Sequence, residues 1–510
     1  MSHWVIAPVV LPLLAGVLLL FVERDRPRWQ APISLAATFG LMLIGARLLA
    51  GAASGEYAIY LVGNWAPPFG IVLAVDRLSA LMVTLAAVVG LATLVYALSH
   101  WHARGAHFHA LFQFQLMGLN GAFLTGDLFN LFVFFEVLLI ASYGLLLHGA
   151  GRERVRAATH YVTVNLVGSA FFLIAVGLLY GVAGTLNMAD LALKVAALAP
   201  ADAAIARAAA LLLLVVFCLK AAVVPIGLWL PYTYASATAP VGALFVIMTK
   251  VGVYSVLRVY SLVFGAGAGD AADVAVPWLL AFGALTILIG ALGAVAARRL
   301  RELSACLIVV SAGTLLTSLG LTEPGSTGGA MYYLVQSTLV GAALFLIADM
   351  LAAQRGSTED RFDTGPRLAQ PALLGGLYFF AAMTAAGLPP SSGFIGKTMI
   401  LAGALGDPGR WLAWSAILSG SFLAVVALSR AGSRLFWKTA DEDAAAAGRA
   451  GPWTIGPALT LIACGVLLSV YAGPAQRYVY AAAEQIHAPG GYVAAVLGAE
   501  PVVRRTGAAP

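Results

Sequence analysis

Charge is what this sequence has least of. Of its 510 residues only 10% are Asp, Glu, Lys or Arg, against 61% hydrophobic. A water-soluble chain usually carries about a quarter charged residues to cover its outside, so a soluble globule of this size is excluded. Cysteine is nearly absent as well. Cys218, Cys306 and Cys464 stand singly inside apolar runs, without the paired spacing of a metal site or a disulfide framework, and read as small buried hydrophobes. Also missing are a GxxxxGK[ST] loop, a GxGxxG turn, a CxxC pair and an HExxH helix. No cofactor or metal is therefore expected, and energy for any work has to come from an ion gradient or a partner protein. The N-terminal stretch MSHWVIAPVVLPLLAGVLLLFVERDR has neither a basic leader region nor a small-residue cleavage site, so a retained first helix is expected there rather than a signal peptide.

What is present instead is apolar sequence in lengths that suit a bilayer. Such segments fall near residues 4–22, 31–52, 74–98, 107–125, 128–148, 159–183, 208–229, 240–264, 276–296, 303–321, 329–351, 371–400, 411–435 and 453–473. They predict an all-α integral membrane protein with about 14 transmembrane helices. Two of them meet proline. The 208–229 segment runs into Pro225, Pro231 and Pro240, and GLPPSSG interrupts 371–400. Proline removes a helical donor and clashes with the preceding turn, so both helices should be broken. Unwound backbone survives at membrane depth only inside protein or beside water, and a broken helix in each half of a chain points to the working site. The stretch around 186–200 is too short to span and is expected to lie along the interface. Residues 474–510 form a less hydrophobic tail to which no role is assigned.

The loops set an orientation. Those at 23–30, 99–106, 149–158, 297–302, 352–370 and 434–452 hold roughly sixteen Lys and Arg, among them Arg24, Arg26, Arg28, Arg152, Arg154, Arg156, Arg298, Arg299 and Arg301, and the alternate loops about three. The basic loops are thus expected in the cytoplasm and both termini outside, as for a bacterial plasma-membrane protein. The same asymmetry accounts for the net charge of +6 without a nucleic-acid partner.

Against this background a few ionisable residues stand where they are costly. An ion at the bilayer centre costs about 2.5–3.5 kcal/mol on insertion scales. Glu136, Lys220 and Lys250 lie mid-segment, and Lys397 follows the GLPPSSG break. A structural reading makes Glu136 a protonated carboxyl bonded to a neighbouring helix and lets the lysines snorkel to the surface. Lys220 and Lys250 are too deep for that, about 15 Å from either segment end. Burial favours a neutral amine, and a nearby carboxylate favours the ammonium. A Glu–Lys pair is therefore a couple across which a proton can be passed, and chains of such groups linked by water make a path. Asp127 and Asp76 read as helix N-caps, Asp349 as structural, His148 as a candidate proton-uptake relay, and Arg258 as a snorkelling residue near a helix end.

The residues at this point resemble a known family, the D-type subunits of the Mrp-type multisubunit cation/proton antiporters, related to the proton-pumping membrane subunits of respiratory complex I. The resemblance rests on GLNGAFLTGDLFNLFVFFEVLLIASYGLLLHG around Glu136 and LKAAVVPIGLWLPYTYASATAPVGALF from Lys220 onward. AARRLRELSACLIVVSAGTLL, YYLVQSTLVGAALFLIADML and AAGLPPSSGFIGK add to it. It implies two inverted five-helix repeats, near 107–264 and 276–435, each with a broken helix, after N-terminal helices at 1–106 and before a last helix and tail at 436–510. It also implies a proton pathway of Glu136 and Lys220 as an ion pair, Lys250 as the connecting residue and Lys397 as the terminal lysine. Relatives commonly carry a His after YYLV, where this chain has Gln336. That residue cannot titrate, so the link from Lys250 to Lys397 falls to Gln336, Ser337, Thr338 or waters.

The reading that follows is a membrane subunit of a Na⁺(K⁺)/H⁺ antiporter, working in a lipid bilayer with other membrane subunits of a hetero-oligomeric complex. Two others compete. In one the same path belongs to a proton-pumping membrane subunit of a quinone oxidoreductase or membrane-bound hydrogenase, but the wording around Glu136 is closer to the antiporter subunits, and an apolar extension long enough for a lateral connecting helix is missing after residue 473. In the other the chain is a membrane scaffold, which leaves three lysines in apolar segments unexplained.

Overall fold

The computed structural model describes residues 3–440 and 448–502; the remainder of the basic 434–452 loop and the end of the tail lie outside the described residues. Among the described residues the elements are helices save for one small hairpin. Helices α1 (Ala7–Asp25) and α2 (Gln30–Ala52) lead to strands β1 (Ala58–Leu61) and β2 (Val72–Val75), which pair antiparallel with Ala58 opposite Val75. Next come α3 (Arg77–Ala97), α4 (Phe108–Leu124), α5 (Leu128–Leu147), α6 (Arg152–Ala183) and the short α7 (Met188–Ala196). A broken pair, α8 (Pro200–Lys220) and α9 (Trp229–Ser236), precedes α10 (Ala239–Leu262). The second half runs α11 (Val276–Ala296), α12 (Leu300–Leu319) and α13 (Pro324–Arg355), then a second broken pair, α14 (Pro371–Ala386) and α15 (Ser392–Gly403), and α16 (Arg410–Phe436). The chain ends in α17 (Pro452–Val470), α18 (Ala472–His487) and α19 (Gly490–Leu497).

Among the described residues 11 helices are long and apolar enough to cross a membrane, and shorter apolar helices lie at Ala7–Glu23 and Pro371–Ala386. Every apolar segment of the sequence is occupied by a helix or a broken pair. From α4 to α10 and again from α11 to α16 the order is the same: three continuous spans, a broken one, a continuous one. An odd number of crossings starts the second set from the opposite face, which makes the two sets inverted. In the middle α10 is buried all round except at Ser261, and α13 is nearly so. A helix with no polar face has to be enclosed by others, and α13 packs against α10, α12, α15, α17 and α18.

Several local expectations are corrected. Ala74 and Val75 belong to strand β2, and the third span starts at Arg77 behind Asp76, whose carboxylate accepts from the Ser79 N–H at 2.8 Å while the Ser79 hydroxyl accepts from Asp76 N. Of the three prolines after Lys220 only Pro225 lies in the break. Pro231 and Pro240 fall in the first turns of α9 and α10, where the missing N–H has no helical partner to lose. The tail is not idle: α18 packs on α3 and α13, and α19 on α7. Arg258 does not snorkel. It is 6% exposed and ion-paired with Asp76 at 2.7 Å, which neither residue's sequence neighbourhood discloses.

Helix ends partition onto two faces. On one, Asp349 accepts from Trp101 Nε1 at 2.8 Å, Tyr96 Oη at 2.9 Å and Arg301 Nη2 at 2.9 Å, the structural role expected of it. There too Arg154 Nε donates to the Ser236 carbonyl at 3.1 Å and Phe362 N to the Arg298 carbonyl at 2.9 Å. These bonds gather the basic loops. On the other face Gly126 N donates to Val72 O at 2.8 Å, and Thr327 Oγ1 lies 3.0 Å from His487 Nε2.

The first break is pinned by its neighbours. Val224 N donates to Thr286 Oγ1 of α11 at 3.0 Å, and Trp229 Nε1 to Leu219 O at 3.2 Å. Helix α10 presses on it at Gly252, where a Cβ would lie 2.6 Å from Ala221 N and 2.9 Å from the carbonyl carbon of Lys220. Gly252→Ala is expected to force α10 off the break at a cost of about 1–3 kcal/mol, the usual penalty of overpacking. Thermal unfolding of the purified protein measures it; an unchanged midpoint would show that the helices are not in close contact there.

Candidate functional site

Glu136 sits half-buried on α5, and Lys220 is the last residue of α8, at the edge of the break rather than in mid-helix. They form no direct ion pair among the described residues, whose ion pairs lie elsewhere. Helix α6 joins them. Ser169 donates its hydroxyl to Glu136 Oε1, and Lys220 Nζ donates to Asn165 Oδ1 at 3.1 Å. Ser169 Oγ also reaches the Asn165 carbonyl at 3.1 Å, so the two bridging residues lie one turn apart on one face. Tyr161 continues that face, its hydroxyl 2.9 Å from Ser142 Oγ of α5. Lys220 Nζ further lies 5.9 Å from the Phe135 ring centre. In place of the expected ion pair, Ser169 and Asn165 stand between Glu136 and Lys220, joined to each other through the Asn165 backbone carbonyl. Asn165 and Ser169 escaped the sequence reading, although Tyr161, Asn165 and Ser169 recur every fourth residue in an apolar helix, which is a legible polar stripe.

Lys250 lies on α10, fully buried, and donates to Ser311 Oγ of α12 at 3.0 Å. An ammonium has three donors, and this is the hydrogen bond its Nζ makes to a described residue. Ser311 is also part of the wall of a cavity of about 20 Å³, which Tyr333, Gln336, Ser337 and Lys397 line on its other sides. That is enough for about one water. Gln336 Oε1 has no hydrogen-bond partner among the described residues, so it presents a spare acceptor beside this space. Ser337 lines the cavity, although its hydroxyl also turns back to Leu334 O at 3.2 Å. Thr338 does not line it; its hydroxyl donates to the Leu334 carbonyl of its own helix at 2.7 Å.

Lys397 closes the series at the second break. Its Nζ donates to the Ala386 carbonyl, the last of α14, and to Ser421 Oγ of α16, each at 2.9 Å. A cation at a helix C-terminus satisfies an orphan carbonyl and the negative end of the helix dipole together. The close fit requires Gly387, whose φ is +80° and whose missing Cβ would lie 3.1 Å from Lys397 Nζ. His148 is not brought to Glu136. It caps α5 about 18 Å further along the helix, with Nε2 2.8 Å from the Trp101 carbonyl, which fixes the proton on that nitrogen. Burial, with the Arg154 charge adding to it, pulls the imidazole below its ordinary range against the opposing bond to Trp101. Asp127 is the cap expected of it, accepting from Asn130 N at 2.8 Å.

Two broken helices, each with a buried lysine at the break and a third lysine between them, are features found in the class of membrane proteins that move ions. Similarity to known proteins narrows this class. Residues 125–424 match the family described as NADH:quinone oxidoreductase/Mrp antiporter, TM, and the chain belongs to that family, as a subunit of the D type. It is 43% identical to the D-type subunit of a "Probable K(+)/H(+) antiporter" of Rhizobium meliloti (strain 1021), over 96% of each chain. It is 34% identical to the D-type subunit of the Na(+)/H(+) antiporter of Bacillus subtilis (strain 168), over 98% of this chain and 100% of that one. Its fold is similar to a chain in the structure of the Mrp complex from Dietzia sp. DQ12-45-1b, with a TM-score of 0.88 and 28% identity, covering 98% of this chain and 100% of that one. It is thus a multi-pass membrane transporter subunit and not an enzyme.

Asn165→Leu leaves Lys220 without the side-chain acceptor it has now. Hydrogen bonds to charged groups are worth roughly 1.5–3 kcal/mol, so proton transport by membranes holding the assembled complex is expected to fall about tenfold or more. Ser169→Ala should act in the same direction. Vesicle acidification assays measure both, and full activity in both variants would show that α6 does not bridge the pair.

Proposed function

We propose that this chain is the proton-conducting membrane subunit of a hetero-oligomeric Na⁺/H⁺ or K⁺/H⁺ antiporter in the bacterial plasma membrane. Protons pass along Glu136, Lys220, Lys250 and Lys397 in exchange for monovalent cation leaving the cytoplasm. The observation that carries this reading is the bonded series Glu136–Ser169/Asn165–Lys220 at the edge of a broken helix. A proton arriving at Glu136 removes the negative charge that favours a charged Lys220. The lysine can then give its proton to the next group, with Asn165 and Ser169 holding the two ends in place. Gly252, two residues from Lys250, lets α10 pack on the same break, and Ser311 with the cavity at Gln336 leads on to Lys397. Spare ammonium donors on Lys220 and Lys250 are where water would complete the wire.

The basic loops gathered on one face are assigned to the cytoplasm and both termini to the outside by the positive-inside rule. The redox-driven alternative uses the same path with another driver. The full-length similarity to antiporter subunits from two bacteria supports the antiporter.

The test is dissipation of ΔpH in everted vesicles on addition of Na⁺, K⁺ or Li⁺, with the whole operon expressed. Glu136→Ala and Lys220→Ala are each expected to abolish the cation-dependent response while the complex still assembles. Normal exchange in both would remove these residues from the pathway. Iron–sulfur proteins co-purifying with the chain would favour the redox alternative instead.

A further inference from the structure

Helix α10 carries a second buried charge that the relay does not use. Arg258 lies eight residues beyond Lys250, about 12 Å along the helix, toward the face that holds the tail. Its guanidinium clasps Asp76 twice, Nη1 to Oδ2 at 2.7 Å and Nη2 to Oδ1 at 2.8 Å. Asp76 Oδ1 also caps α3 through Ser79 N at 2.8 Å. Between the two charges of α10 stands Tyr254, which receives a bond from Arg258 Nε at 3.3 Å and donates its own hydroxyl to Phe123 O at 2.6 Å. Lys250, Tyr254 and Arg258 recur every fourth residue and so share one face of the helix. Tyr492 of α19 closes the top, its ring centre 5.3 Å from the guanidinium carbon.

A polar stripe from the middle of a membrane protein to its surface is a route by which a proton could be lost. We propose that the Asp76–Arg258 pair, lidded by Tyr492, is a plug that closes the outer end of this stripe, so that a proton on Lys250 leaves only toward Lys397. The chemistry of the pair suits that task. A guanidinium does not give up its proton in proteins, and a carboxylate held by two guanidinium bonds and a backbone N–H has little capacity to accept one. Neither group can relay. A fixed Arg barring protons is a known device of selective pores. Packing alone does not call for the pair, because well-packed apolar residues of similar volume commonly serve stability as well as a buried ion pair does. The inference rests on Lys250 belonging to the proton pathway, as proposed above.

The experiment uses everted vesicles with the complete complex. A ΔpH is built by respiration, respiration is then stopped, and decay is followed without Na⁺, K⁺ or Li⁺. Asp76→Asn combined with Arg258→Gln removes both charges and keeps a polar pair; decay at least threefold faster than wild type is expected. Arg258→Gln alone, which unclasps the pair and leaves Asp76 as the cap of α3, guards against failure of the double variant to fold and should also leak. Wild-type decay in whichever of these variants assembles would overturn the plug. Adding Lys250→Met to the leaking variant is expected to restore slow decay. A leak that persists there would overturn the route through Lys250, and with it that part of the proposed pathway, whereas absence of any leak counts against the plug alone.

Discussion

An ammonium group inside a bilayer has to find an acceptor, and the bond from Lys220 Nζ to Asn165 Oδ1 at 3.1 Å is the contact on which the rest of this molecule depends. It exists because α8 stops at Lys220 and α6 passes beside the break. The break in turn is held by α11 through Thr286 and by α10 at Gly252, so both halves of the chain share in positioning one side chain. Direct contact with Glu136 would make a tight ion pair, which is slow to exchange its proton. Ser169 and Asn165 intervene between the two, the spacing on which the proposed proton couple relies.

The second half solves the same problem differently. Lys397 lies after its break and folds back to cap the carbonyl end of α14, while Lys220 lies before its own. Lys250 is the joint, bonded to Ser311 of the second set from a helix of the first. The Asp76–Arg258 pair stands apart from these three lysines in being bonded charge to charge.

Most of the fold was legible because a bilayer permits few solutions. Apolar runs of spanning length, prolines inside two of them and the asymmetry of basic loops foretold the helices, the breaks and the gathering of those loops on one face. What could not be read was mostly pairing over long range. Asp76 and Arg258 each look like ordinary helix-end residues, and only packing of α3 on α10 brings them together. The β1–β2 hairpin went unread, and the end of β2, Ala74 and Val75, falls inside the start of the apolar run at 74–98. Pro231 and Pro240 looked like breakers but occupy first turns, where proline costs nothing. The tail seemed without purpose because α18 is amphipathic and α19 short, and both gain meaning only against α3, α7 and α13. At the site itself, charge marked Glu136 and the lysines, and the fourfold spacing of Tyr161, Asn165 and Ser169 marked α6, whereas Ser311 and Ser421 carry no signal beyond their polarity.

The central claim is that Glu136 and Lys220 act as one proton couple through α6. Infrared difference spectroscopy on the purified complex tests it most directly, with the carboxyl band of Glu136 identified by its loss in Glu136→Gln. Adding the transported cation should change the protonation of Glu136 in the wild-type complex, and Lys220→Met should suppress that change. A Glu136 band that responds identically with and without Lys220, or never responds, would contradict the account.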